Sequence, residues 1–318
     1  MCDGCAAGPA DEVRTIAVIG AGGMGRGIAL AAALGGFRTI LEDILPSSLR
    51  HAENEIRGTL DEQVAGGRIA RKQAEQALAA IEYAGEVEEA ARAADMVIEA
   101  VPEEMESKLE IFTLLDKVCR PATIIVSNTS SLSITELAAA TYRPAKCVGM
   151  HFTAPVHRMK LLEVVPGLET DAATLAAAVA VGQRMAREVA VIRDSPGFVT
   201  SRLNALIGNE AFLMLQEGVA SAREIDLAVK LGLHHAMGPF EIADAVGLDQ
   251  RLQTLEYLHR MLGEKYRPAP LLVQYVKAGR LGRKSGRGVY EYPETTGGTA
   301  AAEMPAEATG SGPEKKFR

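Results

Sequence analysis

Between Val13 and Asp194 short apolar, β-branched runs alternate with longer Ala- and Leu-rich stretches. VRTIAVIG (13–20) has the continuous apolar character of a strand buried on both faces, and GMGRGIALAAALGG (23–36) reads as the turn and helix after it. FRTILED (37–43) predicts a second strand, and a long helical region rich in Glu, Arg and Gln runs from about Ser47 to Ala80. ADMVIEAV (94–101) and ATIIVSNT (122–129) are further strands on either side of a helix around 105–119. KCVGMHF (146–152) and KLLEVV (160–165) lie close together, joined by a short Pro-containing loop, and EVAVIRD (188–194) closes the series. Strands separated by helices need parallel crossovers, so the pattern predicts an α/β fold with a doubly wound Rossmann-type sheet.

After Asp194 the strand pattern stops. From Ser195 to about Gly279 there are only helical segments, punctuated at Pro196, Gly232, Gly238-Pro239, Gly247 and Pro268. The expected organisation is a sheet domain over 13–194 and an all-helical C-terminal domain over 195–292. DSPG is the expected hinge, with Asp194 or Ser195 capping a helix that has Pro196 in its first turn. Residues 1–12 and 293–318, the latter rich in Ala, Gly, Thr, Pro and Glu, are predicted to be disordered tails.

Composition narrows the partners. The chain of 318 residues is 47% apolar and 24% charged, with a formal net charge of −7 and no long basic block. Nucleic acid and anionic membranes are therefore poor main partners. No run is long and apolar enough for a membrane span, and the N-terminus is a poor signal or transit peptide. Four cysteines are too few and scattered for a disulfide framework. Cys2 and Cys5 form a CxxC, but no second pair completes a zinc site, so no metal is expected. A reducing, cytoplasmic compartment fits best.

Candidate chemistry begins at Gly20-Ala-Gly22-Gly-Met24-Gly25, which follows a strand and opens a helix. Gly20 permits the tight turn, Gly22 lets the backbone approach a pyrophosphate, and Gly25 allows close helix–strand packing. The helix N-terminus then favours phosphate. Asp43 lies at the end of the second strand, about 20 residues on, where a carboxylate binds a ribose 2′-hydroxyl. With Glu42 beside it and no adjacent arginine, a 2′-phosphate would meet two carboxylates, so NAD is expected over NADP.

The remaining motifs carry a resemblance. GAGGMGRGIA, DMVIEAVPE, SNTSSLSIT, GMHFTAPVHRMKLLEVV, DSPGF, NEA (209–211), MGPFE (237–241) and LGRKSGRGVYEY resemble, in order, the 3-hydroxyacyl-CoA dehydrogenases, especially the short-chain 3-hydroxybutyryl-CoA type. The resemblance implies NAD-dependent interconversion of L-3-hydroxyacyl-CoA and 3-oxoacyl-CoA in fatty acid or butanoate metabolism. It implies a substrate lying between the two domains and a homodimer formed through the helical one. It gives His151 as the proton shuttle, Glu163 as the carboxylate orienting it and Ser130 as the group bonding the substrate oxygen at C3. Met24, Glu103, Lys108 and Asn128 fall at cofactor-contacting positions. Two departures stand out. HFTAP places Ala154, and PGFVTSR places Ser201, where the family commonly has Asn. Ser201, Asn204 one helical turn later, or a bridging water is expected to fill the lost role. For the CoA end only Thr59, Arg68, Arg71 and Lys72 are candidates, and His157 has no counterpart with a role. A dehydrogenase of a non-CoA hydroxy acid, of sugar acid or carnitine type, and a catalytically silent NAD-binding protein are the alternatives.

Overall fold

The protein is described by a computed structural model over residues 13–292; Cys2, Cys5 and the two tails lie outside the described residues. The chain divides into two compact units, the first ending at Ser201 and the second beginning at Arg202.

The first unit is built on one eight-stranded sheet in the order β3-β2-β1-β4-β5-β6-β7-β8. Its elements follow the chain as β1 (Thr15–Ile19), α1 (Gly23–Leu34), β2 (Arg38–Glu42), α2 (Pro46–Ala65), α3 (Arg71–Ala79), β3 (Ile81–Ala84), α4 (Val87–Ala93) and β4 (Met96–Glu99). Then come α5 (Met105–Val118), β5 (Ile124–Ser127), α6 (Ile134–Ala139), β6 (Cys147–Phe152), β7 (Leu161–Pro166), α7 (Ala172–Arg184) and β8 (Glu188–Val191). Every residue of β1, β4, β5 and β6 is buried, because helices cover both faces. Ile16, Val18 and Leu41 join Ile28 and Ala32 of α1 in the core on one face. Ala17, Ile19 and Ile40 join Ala90 of α4 and Phe112 of α5 on the other.

All neighbouring strands pair in parallel except β6 and β7, which are antiparallel. The eight residues between them are too few for a crossover. Their register sets His151 opposite Glu163. The strand order reverses between β1 and β4, which makes the crevice at their C-terminal ends the place for a ligand.

Three local features depart from expectation. The long helical region is two helices, because Gly66 ends α2 and Gly67 adopts φ +67°. The segment IEYA forms β3, an edge strand with only Ile81 and Ala84 buried, and α4 follows it; neither is predicted by the apolar pattern. Finally, Asp194 does not cap a helix beginning at Pro196. Its carboxylate accepts the N–H groups of Ile134 and Thr135 and the Ser133 hydroxyl, so it caps α6 from across the sheet domain. Ser133 shares that capping through the Glu136 N–H. The next helix, α8 (Thr200–Glu217), starts after a turn through Gly197 and Phe198.

The second unit contains the rest of α8 with α9 (Ala222–Gly232), α10 (Pro239–Val246), α11 (Leu248–Leu262) and α12 (Pro270–Lys277). Its core joins Phe212, Phe240, Leu255, Leu258, Tyr266 and Leu272. Two buried aspartates tie its loops. Asp226 accepts the Phe240 N–H and the Tyr290 hydroxyl, and Asp244 accepts the Val289 and Tyr290 N–H groups. MGPFE and GRGVYEY thus meet as structural motifs.

Candidate active site

The phosphate loop has the geometry its glycines require. Gly20 sits at φ +98° against the Ala100 carbonyl, and a Cβ at Gly25 would overlap the Gly20 carbonyl oxygen. At Gly22 the space a Cβ would enter is open. No side chain caps α1 and no acidic residue lies in its first turn, so the helix N-terminus is left to an anion, and a dinucleotide pyrophosphate fits. Met24 lies in that first turn. Asp43 accepts the Ala21 N–H at 3.0 Å and the Leu45 N–H at 2.9 Å, which fixes its carboxylate beside the loop with lone pairs remaining for ribose hydroxyls.

Glu42 does not join Asp43 there, contrary to the expectation of two facing carboxylates. It alternates with Leu41, shares the sheet face of Ile40 and is 3% exposed. Burial, then the neighbouring Asp43 charge and Glu88, push its pKa up to about 7. An unfolded Glu titrates near 4.3, so this group lowers stability progressively as pH rises from about 4.5 through 7. Glu42→Gln is therefore expected to stabilise the protein by about 2–3 kcal/mol at pH 8 and hardly at pH 4.5. Denaturant unfolding at both pH values checks this; an equal effect at each would contradict it.

The loops after β4 and β5 form one polar network. Lys108, 1% exposed on α5, places its ammonium 2.6 Å from Glu99 Oε1, 3.4 Å from Glu103 Oε2 and 3.3 Å from the Val101 carbonyl oxygen. Glu99 also accepts the Ser127 hydroxyl at 2.7 Å; burial nonetheless raises its pKa against the pull of Lys108. Glu103 Oε1 gathers the Thr129 hydroxyl at 2.6 Å, the Ser130 and Ser131 N–H groups at 2.8 and 3.1 Å, and both of their hydroxyls at 3.1 Å. Burial opposes ionisation there too, but Lys108 and these donors outweigh it and hold the pKa low. Asn128 Oδ1 accepts the Phe152 N–H at 3.0 Å, joining the SNTSS loop to the end of β6.

One residue before that contact, His151 Nδ1 lies 2.7 Å from Glu163 Oε2, with both side chains buried. Glu163 further accepts the Val199 and Thr200 N–H groups at 3.2 and 3.1 Å and the Thr200 hydroxyl at 2.7 Å. It therefore caps α8 as well as orienting the imidazole. Burial would raise its pKa, but the bonds from His151 and Thr200 bring it below the usual carboxylate range. Phe198, at φ +50°, tilts against the imidazole with ring centroids 5.8 Å apart. With Nδ1 held by Glu163, Nε2 is the nitrogen left for a substrate proton. Thr200 and Phe198 are partners that sequence reasoning missed, because the expected helix start at Pro196 leaves neither of them at a capping position.

Ser201 lies in the first turn of α8, with Asn204 three residues on. Asn204 Oδ1 accepts a bond of 3.3 Å from Arg251, a buried guanidinium whose pKa burial lowers to about 10. Of the residues considered for the CoA end, Thr59 and Arg68 line a cavity of about 210 Å³ together with His157 and Arg158. Arg71 instead pairs with Asp61 at the surface, at 2.7 Å. A larger cavity of about 570 Å³, lined by Phe37, Arg38, Gln76 and Glu82, opens at the N-terminal ends of β2 and β3, away from the ligand edge of a doubly wound sheet. Among the described residues no cluster of His, Cys, Asp or Glu could hold a metal ion, and no helix is long and apolar enough to cross a membrane.

A glycine loop at a helix N-terminus, an Asp held beside it and a His–Glu pair at the same sheet edge define an NAD-dependent dehydrogenase of the two-unit, doubly wound class. The family descriptions that match are 3-hydroxyacyl-CoA dehydrogenase, NAD binding domain, over residues 15–195, and the C-terminal domain of the same family over 197–292. The chain belongs to the 3-hydroxyacyl-CoA dehydrogenase family. It is 44% identical over 286 residues to a probable 3-hydroxybutyryl-CoA dehydrogenase of Bacillus subtilis, covering 90% of this chain and 99% of that one. Identity to the 3-hydroxybutyryl-CoA dehydrogenase of Bradyrhizobium diazoefficiens is also 44%, over 88% of this chain and 96% of the relative. The crystal structure of (S)-3-hydroxybutyryl-CoA dehydrogenase PaaH1 from Ralstonia eutropha superposes with a TM-score of 0.84 at 40% identity, over 89% of this chain and 100% of that one.

Proposed function

We propose that this chain interconverts short-chain L-3-hydroxyacyl-CoA, of the 3-hydroxybutyryl type, and the corresponding 3-oxoacyl-CoA, with His151 as general acid–base. The buried 2.7 Å pair of His151 and Glu163 carries this reading. NAD, when bound, supplies the hydride acceptor; Gly20, Gly22, Met24, Gly25 and Asp43 would hold it, with Glu103, Lys108 and Asn128 fixing the adjoining loops.

In the oxidation direction C3 gives up a hydride while its hydroxyl gives a proton to His151 Nε2; in reduction His151 returns that proton to the new alkoxide. Glu163 keeps Nδ1–H in place and stabilises the imidazolium. Ser130 donates to the C3 oxygen. It can turn to do so because five donors crowd Glu103 Oε1, more than one carboxylate oxygen accepts well. Ser201, in the first turn of α8, takes the substrate-facing role of the usual Asn, while Asn204, whose oxygen accepts from Arg251, keeps its NH₂ as a second donor.

The nucleotide end of CoA reaches Thr59 and Arg68. A homodimer covers the exposed apolar face of α9, where Leu227 and Leu231, one turn apart, are 53% and 70% exposed. The buried free thiols Cys119 and Cys147 suit a reducing cytoplasm, and the reaction suits fatty acid or butanoate metabolism.

The test is NADH oxidation by acetoacetyl-CoA, with turnover expected on the order of 10–10² per second. Free acetoacetate and carnitine-type or sugar-acid substrates are expected to be inert. Turnover only with a free acid, or NADH binding without turnover, would sink the reading.

A further inference from the structure

The connection between β6 and β7 carries His157, which the chemistry above leaves without a task. The turn is firmly held. Val156 is buried beneath α1, where a Cβ at Gly27 would come within 2.9 Å of its own Cβ. The Arg158 and Met159 N–H groups both bond the Pro155 carbonyl, at 2.9 and 3.1 Å, and Arg187 donates to the Met159 carbonyl at 2.6 Å. His157 is thereby presented from a fixed backbone into the 210 Å³ cavity at the end of α2. That volume is below the range of ordinary drug-sized pockets and suits one or two phosphate groups.

The surroundings are mainly cationic. Arg158 from the same turn, Arg68 from the loop after α2 and Arg187 before β8 all act on the imidazole, and Glu62 of α2 is the carboxylate that opposes them. Thr59 adds a hydroxyl at the wall. Arg68 and Arg158 line the cavity beside His157, with Glu62 the one carboxylate among the lining residues, and an entering phosphate gains charge-assisted hydrogen bonds from these cations.

We propose that His157 is a ligand for the phosphate-bearing nucleotide end of the thioester substrate, and that it takes up a proton as the phosphate docks. This rests on reading the substrate as an acyl-CoA. In the free protein burial, then Arg158 with Arg68 and Arg187, lowers the imidazole pKa from its ordinary value against the opposing pull of Glu62, which favours the neutral ring. A bound phosphate raises that pKa. Binding therefore tightens as pH falls through the bound-state pKa and levels off below the free-state value.

The experiment compares acetoacetyl-CoA with acetoacetyl-pantetheine, the same thioester without phosphates, in the wild type, His157→Asn and His157→Lys at pH 6 and 8. His157→Asn is expected to raise KM for acetoacetyl-CoA about fivefold at pH 6 and less than twofold at pH 8. His157→Lys, charged at both pH values, is expected to hold KM low at both. KM for the pantetheine thioester is expected to be the same in all three proteins. Titration of the CoA phosphates is common to all three and cancels in the ratio. A shift of equal size for both thioesters, or a ratio unchanged between pH 6 and 8, would overturn the assignment. Should the wild type turn over neither thioester, the functional reading fails by itself. His157 is then decided by calorimetry with adenosine 3′,5′-bisphosphate: weaker binding to His157→Asn at pH 6 upholds the phosphate site, and equal or absent binding ends it.

Discussion

Replacing His151 with Gln is expected to lower kcat for acetoacetyl-CoA reduction about 10³-fold while leaving NADH affinity within about a factor of two. The affinity is preserved because the proposed dinucleotide site, the phosphate loop and Asp43, lies at β1 and β2, which β4 and β5 separate from the strand of His151. The rate falls because a Gln amide cannot carry the proton between the alcohol and solvent. Glu163→Gln tests the other half of the pair. Four donors converge on this carboxylate: the imidazole, the Val199 and Thr200 N–H groups and the Thr200 hydroxyl. A Gln would turn an NH₂ toward some of them, so it loses both the charge that stabilises the imidazolium and part of the cap on α8. A drop of about 10²-fold in kcat is expected, with a measurable loss of stability. Thr200→Val separates the two effects, since it removes one donor and leaves the charge. Steady-state kinetics and thermal unfolding of the three variants decide the matter. A His151→Gln enzyme with wild-type kcat would remove His151 from the chemistry.

These effects trace to features that differ in how visible they are in the sequence. The phosphate loop is local: a buried strand, three glycines and a helix lie within a short segment, and spacing alone specifies the turn. The pairing of His151 with Glu163 needs only a short hairpin between two apolar runs, which places residues at matching distances from the turn opposite one another. Asp194 is different. Its position before Pro196 suggested a local cap, but its carboxylate reaches α6, some 60 residues earlier, and no local pattern encodes that pairing. The edge strand β3 was equally hidden, because a four-residue strand with two buried positions gives little alternation to detect. Glu42 misled for a related reason: adjacent carboxylates look alike in sequence, yet the pleat leaves Asp43 beside the glycine loop and buries Glu42.

Lys108 shows the largest gap between a residue's chemistry in sequence and its setting in the fold, and it carries the second large prediction. A lysine near the start of a helix is ordinarily a solvated charge, but here it is buried between Glu99 and Glu103. Lys108→Met is expected to destabilise the sheet unit by about 3–5 kcal/mol, because Glu99, fully buried, would lose its counter-charge. The sign of the pH dependence follows from Glu99. Its folded pKa is already raised, and without Lys108 it would rise further, so the deficit is small near pH 4.5 and grows as pH rises. Glu99→Gln added to Lys108→Met removes the buried charge while leaving an oxygen for the Ser127 hydroxyl, and is expected to recover more than half of the loss at pH 8. NADH binding gives an independent readout. Glu103 would lose its cation while the loop it gathers over 129–131 loses part of its anchor, so Kd is expected to rise several-fold in both the single and the double variant. A Lys108→Met protein as stable as the wild type at pH 8 would show that Glu99 is buried neutral and that the ion pair contributes nothing to the fold. Full recovery of NADH binding in the double variant would instead place Glu99, and not the Glu103 loop, between Lys108 and the cofactor.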